Sequence, residues 1–514
     1  MLALLAAALS GGCAILPHGA YWPSYDRHLA DTAEAARSSP PAVVPLDRET
    51  APERVRLQQI VTRRWADEAL VRSARQMDAG AGRWVYADAL SAVVWFYVDP
   101  VKYRDLVAAG IKSFRAALDN PAFRARFPEA DDEAKRARLA EALEILFLKA
   151  SAADPWFAFQ AADWLTVAME KNRAMLGLPD GAVVAEFLFG AMDSLDPYTR
   201  FLTAEMLRSY EEDIRGSYTG IGAAIVVRDG RVFLQEVFEG GAAAGASLRA
   251  GDEMTAVDGK PLAGLALAEV SRLLRGKAGT TVRMSVRVAG EDEAREVVLQ
   301  RSAVHLPSVR GARLIEGEEG AGYVRLAAFK SGTENELRRA ISQLADQGAR
   351  ALVLDLRDNP GGTLLDAIGA AGVFLAGGRV TRTRGRALGA TWTYDVPLLA
   401  RQPWRGPLVV LVNENTASAA EVLAAALARR GRATIVGRRT FGKGAAQINV
   451  PVGESSAVCL TVARVYDPAD ECIEGRGVTP DLQVAQAPEP VEERRDDVAM
   501  RAAIEALRAA PTLP

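Results

Sequence analysis

Leu408-Val409-Val410-Leu411-Val412-Asn413-Glu414-Asn415-Thr416-Ala417-Ser418-Ala419-Ala420-Glu421 runs from an unbroken apolar segment, through a polar turn, into a stretch of small residues. A strand written as continuous apolar residues belongs to a sheet buried on both faces. Ala417 to Ala428 reads as a helix, so Ser418 is expected in its first turn, where unpaired backbone N–H groups and the positive helix end gather. That is a place where a tetrahedral oxyanion can be stabilised, and the alanines around Ser418 leave a peptide carbonyl room to approach. Glu421, one turn further on, reads as a cap for N–H groups or a complement to the dipole rather than as a base.

The same texture extends outward. Gly322 to Leu326, Ala351 to Leu356 and Thr434 to Val436 read as further strands, with helices at Glu334 to Ala345 and Leu364 to Leu375 between them. Strands alternating with helices make an α/β layered core, placed at 304–485. Residues 216–303 look different: short strands and glycine turns, with a hairpin at Arg228-Asp229-Gly230-Arg231 and a helix over Ala266 to Arg275. Residues 53–215 are helical in period, with Leu57, Ile60, Val61 and Trp65 on one face and Leu106, Ala109, Ile111, Phe114 and Leu118 on another. Leu139, Leu143, Leu146 and Phe147 form a third. Asp99-Pro100 and Asn120-Pro121 mark breaks or helix starts. Trp84, Trp95, Trp156 and Trp164 read as core or as partner surface. Residues 14–52 read as a flexible tether and 486–514 as a tail ending in an amphipathic helix.

A serine needs a base, and the chain's three histidines, His18, His28 and His305, are all remote in sequence from Ser418. Lysine is the next candidate, if its site is dry enough to keep it uncharged. Thr440-Phe441-Gly442-Lys443-Gly444-Ala445-Ala446-Gln447 offers one, 25 residues after Ser418. The helix and return strand between them make a meeting reasonable. Phe441 is expected to cover the amine, and the Gln447 amide oxygen to hold it in line. A second oxyanion donor is offered by Gly361-Gly362, at the end of Asp355-Leu356-Arg357-Asp358-Asn359-Pro360-Gly361-Gly362; a plain tight turn before a helix is the equal alternative. Gly220-Ile221-Gly222, just before a strand, is where backbone N–H groups would receive a terminal carboxylate as a peptide adds to the sheet edge.

The 514 residues carry a net charge of −3, with 49% hydrophobic and 25% charged residues. That is a globular composition without the basic surface a nucleic-acid partner requires. Zinc-ligand patterns and a phosphate-binding Walker loop are missing from the sequence, so no metal or cofactor is expected. Met1 to Gly12 is apolar and ends in small residues before Cys13. Residues 1–13 therefore read as a lipoprotein-type signal that lipidates Cys13 and tethers the protein to a membrane; a plain export signal or a disordered start is the alternative. Cys459 and Cys472 are candidates for a disulfide, or for two small unpaired residues.

Taken together these motifs resemble the carboxyl-terminal processing peptidases, serine endopeptidases with a Ser-Lys dyad and an inserted PDZ domain, over about residues 190 to 485. Besides the segments above, the resemblance rests on Leu195-Asp196-Pro197-Tyr198-Thr199-Arg200-Phe201-Leu202, Tyr218-Thr219-Gly220-Ile221-Gly222, His305-Leu306-Pro307-Ser308-Val309 and Gly475-Arg476-Gly477-Val478-Thr479-Pro480-Asp481. It implies a crotonase-like, ClpP/tail-specific-protease type α/β core, with 216–303 as the PDZ domain and 53–215 as an N-terminal helical region. It implies Ser418 as nucleophile, Lys443 as general base, Gln447 as its orienting partner, and an oxyanion hole from the N–H of Ala419 and of one glycine of the Gly361-Gly362 pair. Expected substrates are exported proteins or peptides with apolar C-termini, in a bacterial periplasm or cell envelope. The alternative is a PDZ-type scaffold whose peptidase core is inactive or awaits a partner, for which the helical region is the candidate docking surface. The chain departs from the family in having Thr416 where serine is common. Its helical region is also enlarged, with about 119 to 180 as an insertion after the family-like Tyr97-Val98-Asp99-Pro100.

Overall fold

The computed structural model describes residues 51–238, 240–265, 267–288, 290–291, 293–397, 403–484 and 497–509. Cys13, the signal segment, nearly all of the tether and much of the tail lie outside them. The chain divides into two compact units, one built from residues up to Arg208 and from Leu356 onward, the other from Ser209–Asp355. No helix among the described residues is long and apolar enough to cross a membrane.

Among the described residues the first unit opens with eight α-helices: α1 (Ala51–Trp65), α2 (Glu68–Gln76), α3 (Ala79–Phe96), α4 (Tyr103–Leu118), α5 (Pro121–Arg126), α6 (Glu133–Ala152), α7 (Ala158–Met175) and α8 (Asp180–Asp193). Asp67, Asp78, Asn120 and Asp132 each accept a backbone N–H from the first turn of the helix they precede, and Pro121 follows its cap at the first helical position. The periodic faces are buried as their spacing requires: Val61 and Trp65 on α1, Leu106, Ile111, Phe114 and Leu118 on α4, and Leu139, Leu143, Leu146 and Phe147 on α6. A polar knot lies within. Glu186, fully buried on α8, accepts from Arg64, from Ser113 Oγ and from Trp65 Nε1, each at 2.5 Å. Trp84, Trp95 and Trp156 are largely exposed, so the core reading fails for those three.

After the bundle comes a short strand that helical periodicity concealed, β1 (Arg200–Leu202). It pairs with Ala457–Cys459 of the long strand Ser456–Tyr466 in the first unit's antiparallel sheet. Helix α9 (Ala204–Arg215) then carries the chain into the second unit.

That unit contains the strand pair β2 (Ser217–Gly220) and β9 (Ser302–His305), and a sheet of β3 (Ala223–Arg228), β4 (Arg231–Val237), β5 (Glu253–Val257), β7 (Thr281–Arg287) and β8 (Ala294–Gln300) in that order, with β6 (Lys260–Pro261) beside β5. A one-turn helix, α10 (Ala242–Gly245), and α11 (Leu267–Leu274) complete it. The β3–β4 hairpin turns at Asp229 and Gly230, with φ of 51° and 72°. Both central residues lie in the left-handed region, the geometry that matches strand twist. Ile221, Val232, Met254, Val270 and Val286 share its core. Beyond β9 the unit holds β10 (Val309–Leu314), β11 (Ala321–Leu326), α12 (Thr333–Asp346) and β12 (Ala351–Asp355), with β11 and β12 parallel.

The chain re-enters the first unit at Leu356. Helix α13 (Leu364–Ala371) is a turn shorter than its apolar run suggested. Then come β13 (Gly378–Arg384), β14 (Trp392–Val396), the fully buried β15 (Leu408–Val412), α14 (Ala419–Arg429) and β16 (Thr434–Gly437). β15 and β16 are parallel, and β16 pairs in parallel with β19 (Leu482–Gln483). The hairpin of β17 (Ala445–Val452) and β18 (Ser456–Tyr466) joins β13 and β14 in the antiparallel sheet. Its inward residues Ile448, Val450, Val458, Leu460 and Val462 belong to the same apolar core as the helical bundle. The last helix, α15 (Val498–Ala509), packs on β15 and β16, anchored by Asp497 to the buried Arg357 at 2.8 Å.

Cys459 and Cys472 are free thiols. Cys472 bridges to Tyr466, seven residues along β18 from Cys459. At the rise of a strand that is a separation of roughly 20 Å, far beyond disulfide reach.

Helices α4 and α8 cross where neither has a side chain. A Cβ on Gly190 would lie 2.5 Å from Ser113 Cβ and 2.6 Å from the Ala109 carbonyl oxygen. Gly190→Ala is expected to cost about 1–3 kcal/mol through overpacking, read as a lower Tm in scanning calorimetry.

Candidate active site

The Ser418 turn is a loop laced to another loop. Between β15 and α14, Asn413 donates through Nδ2 to Asp358 Oδ1 (2.7 Å) and accepts from Asp358 N–H (2.9 Å). Asn415 Nδ2 donates to the same carboxylate (3.0 Å), Thr416 Oγ1 to the Leu356 carbonyl (2.8 Å), and Ala417 N–H to the Asn359 carbonyl (2.9 Å). The Asp355-to-Gly362 segment is therefore the second wall of the Ser418 turn.

Ser418 is the N-cap of α14, one residue before the expected helical turn, with φ 55° and ψ −119°. A non-glycine residue in that region costs of order 1–3 kcal/mol and persists only where its surroundings over-determine it. Two contacts do so. Ser418 N–H donates to Glu421 Oε2 at 2.8 Å. Gly361, φ 101°, lies so close that a Cβ there would meet Ser418 Cβ at 2.7 Å and Ala419 N at 2.9 Å. Gly361 gives its own N–H to Asn359 Oδ1 at 2.9 Å.

Glu421 does more than cap its helix. It is fully buried, and its two oxygens collect four donors. Oε2 accepts from Ser418 N–H and from Lys443 N–H, both at 2.8 Å. Oε1 accepts from Gly442 N–H at 2.7 Å and from Thr440 Oγ1 at 2.5 Å. One carboxylate oxygen thus joins the backbones of the two residues singled out in the sequence. Burial raises the Glu421 pKa, while the four donors pull it down.

The Lys443 loop is shaped by glycine. Gly442 has φ 91°, and a Cβ on Gly444 would lie 2.2 Å from Glu474 N. Gly444 N–H donates to Glu474 Oε2 (2.7 Å), and Phe441 N–H to the Thr416 carbonyl (3.0 Å). The Phe441 ring is 57% exposed and does not cover the amine as expected. Tyr198 does: Lys443 Nζ stands 4.9 Å from the centre of its ring. Burial is the largest cause lowering the Lys443 pKa; Arg200 also lowers it, while Cys459, Glu474 and Asp196 oppose the shift. Among the described residues no hydrogen bond joins Ser418 Oγ to Lys443 Nζ.

Gln447 lies on β17 just past a bulge, and its Nε2 donates to the Tyr198 carbonyl (2.7 Å) and to Cys459 Sγ (3.4 Å). With the amide hydrogens so directed, Oε1 is the end left to accept. The roles of Tyr198, Cys459 and Glu474 were not read from the sequence. Tyr198 sits in the quoted Asp196-Pro197-Tyr198-Thr199 segment, where Asp196 Oδ1 accepts both Tyr198 and Thr199 N–H at 2.7 Å, the sign of a side chain set by a turn.

In the other unit, Gly220 ends β2 opposite Ser302, and Ile221 is buried in the local core with its carbonyl accepting from Ala243 N–H (2.8 Å). Gly222, φ 81°, packs against Gly241, whose Cα a Cβ would meet at 2.6 Å.

Glu421→Gln replaces an acceptor by an NH2 group that faces N–H donors. It is expected to cost about 2–4 kcal/mol of stability from buried donors left unpaired. Thermal melting measures the loss.

Residues 320–484 match the model of peptidase family S41, and residues 212–287 that of the PDZ domain. A carboxy-terminal-processing protease of Bartonella bacilliformis is 33% identical over 325 residues, 62% of this chain and 74% of that protein. A carboxyl-terminal-processing protease of Picosynechococcus sp. is 36% identical over 296 residues, 57% of this chain and 70% of that protein. Among solved structures, a photosystem II D1 C-terminal processing protease is 28% identical, covering 83% of this chain and 97% of that one at a TM-score of 0.41. The chain belongs to the carboxyl-terminal processing proteases, serine-type peptidases of family S41 that carry a PDZ domain.

Proposed function

We propose that the protein is an exported endopeptidase that cuts polypeptides near their C-termini through Ser418 and Lys443, with the PDZ domain receiving the substrate's apolar tail. The observation that carries this reading is the single Glu421 oxygen that accepts the N–H of both residues. Neutral Lys443 takes the proton of Ser418 Oγ as the oxygen attacks the scissile carbonyl carbon. The oxyanion is held by the N–H of Ala419 at the start of α14. Gly362 is the second donor, because the Gly361 N–H is engaged by Asn359. As the C–N bond breaks, the Lys443 ammonium returns its proton to the leaving amine. Water then attacks the ester carbonyl, with Lys443 again as base, and frees Ser418. Gln447 Oε1 steadies the amine between these steps.

The tail's carboxylate is assigned to the Gly220-Ile221-Gly222 turn and its apolar side chains to the domain's apolar surface. Cys13 is assigned as the site of a lipid anchor.

Ser418→Ala and Lys443→Ala should each abolish cleavage of an unstructured peptide with an apolar C-terminus while the fold survives; wild-type rates in both would overturn the dyad. Lys443 must be neutral to act, and its pKa is lowered. kcat/KM should therefore rise with pH along a limb centred below the ordinary lysine value of about 10.4. A limb at or above that value would contradict the role.

A further inference from the structure

We propose that Tyr198 is a positioning residue for the general base, its ring acting as the seat of the protonated Lys443 amine. The proposal rests on the dyad reading above and adds what holds the amine before it acts.

A half-buried ammonium needs a partner. The carboxylates around Lys443 are committed elsewhere. Glu421 is taken by its four donors. Glu474 accepts from Gly444 N–H and from Tyr198 Oη (3.3 Å). Asp196 accepts from Tyr198 N–H, Thr199 N–H and Thr199 Oγ1. Among the described residues no hydrogen bond or ion pair engages Nζ. What faces it is the Tyr198 ring at 4.9 Å, inside the distance at which a ring's negative face attracts a cation.

The ring is held from three sides. The Asp196 turn fixes its backbone, its hydroxyl reaches Glu474, and its carbonyl takes the Gln447 amide. Its hydroxyl stays protonated, with a pKa pushed up to about 12, first by burial and then by Glu474.

The seat discriminates between two charge states. It attracts the ammonium and has little hold on the neutral amine, so loss of the proton releases Nζ toward Gln447 Oε1 and Ser418 Oγ. The other groups facing Lys443 are Arg200 from β1, Cys459 from β18, Glu474 and Asp196 from loops, and Glu421 from α14. Glu474 loses the Tyr198 hydroxyl in any ring that lacks it, so two rings that both lack it are compared, and between those two none of these groups changes.

The test compares two variants that differ in the ring's electrons. In the full chain, Tyr198→Phe removes the hydroxyl and keeps the ring. 3,4,5-Trifluorophenylalanine at position 198 keeps the shape and depletes the ring face of negative charge. Tyr198→Phe sets the reference acid limb of kcat/KM. The fluorinated variant should move it roughly half a pH unit lower, because a weaker seat favours the neutral amine. The 13Cε signal of Lys443, titrated in a Ser418→Ala background and assigned by its loss in Lys443→Arg, should shift equally without any turnover. An unmoved limb and an unmoved titration overturn the proposal. If Lys443→Ala is inactive while fluorination has no effect, the seat alone falls; if Lys443→Ala cleaves normally, the dyad falls with it.

Discussion

The catalytic unit depends on one buried carboxylate. Glu421 stands three residues after Ser418 and reaches the backbone of Lys443 across a gap of 22 residues. A hydrogen bond to a charged group contributes about 1.5–3 kcal/mol, and Glu421 gathers four donors with no competition from water. That exceeds the strain of a serine at φ 55°. An amide could not substitute, because half of its polar surface donates. The negative charge is required by the geometry as well as by the helix end it faces.

Around this centre the elements fall into a dependent order. The Asp355-to-Gly362 segment braces the Ser418 turn through Asp358, Asn359 and Leu356, and Gly361 completes the wall because it brings no side chain. The turn before β1 sets Tyr198 beside Lys443. α15 reaches the same region through Arg357, a cation kept out of water by Asp497. Each piece is positioned by a contact between residues far apart in the chain, which is how a site on loops acquires the rigidity of a sheet.

The chemistry of Ser418 and Lys443 was legible because each sits in a local frame: an apolar strand before one, glycines around the other. β15, β16 and the helix between them followed from periodicity alone. Other features were hidden for identifiable reasons. Tyr198 meets Gln447 across 249 residues, and no local pattern announces such a contact. Phe441 looked like cover because it is apolar and adjacent, but the left-handed turn at Gly442 sends the backbone the other way, and its ring faces solvent. β1 is three residues long, too short to show alternation. Cys459 and Cys472 are near in sequence, but an extended strand separates them.

The helical bundle and the hairpin bearing Gln447 and Cys459 share one continuous interior. The enzyme therefore has no smaller version of itself inside it: shaving away the N-terminal helices would uncover the apolar face of the very strands that carry Gln447 and Cys459. Surface residues of the bundle are free to diverge, but its inner face is under the same restraint as that hairpin.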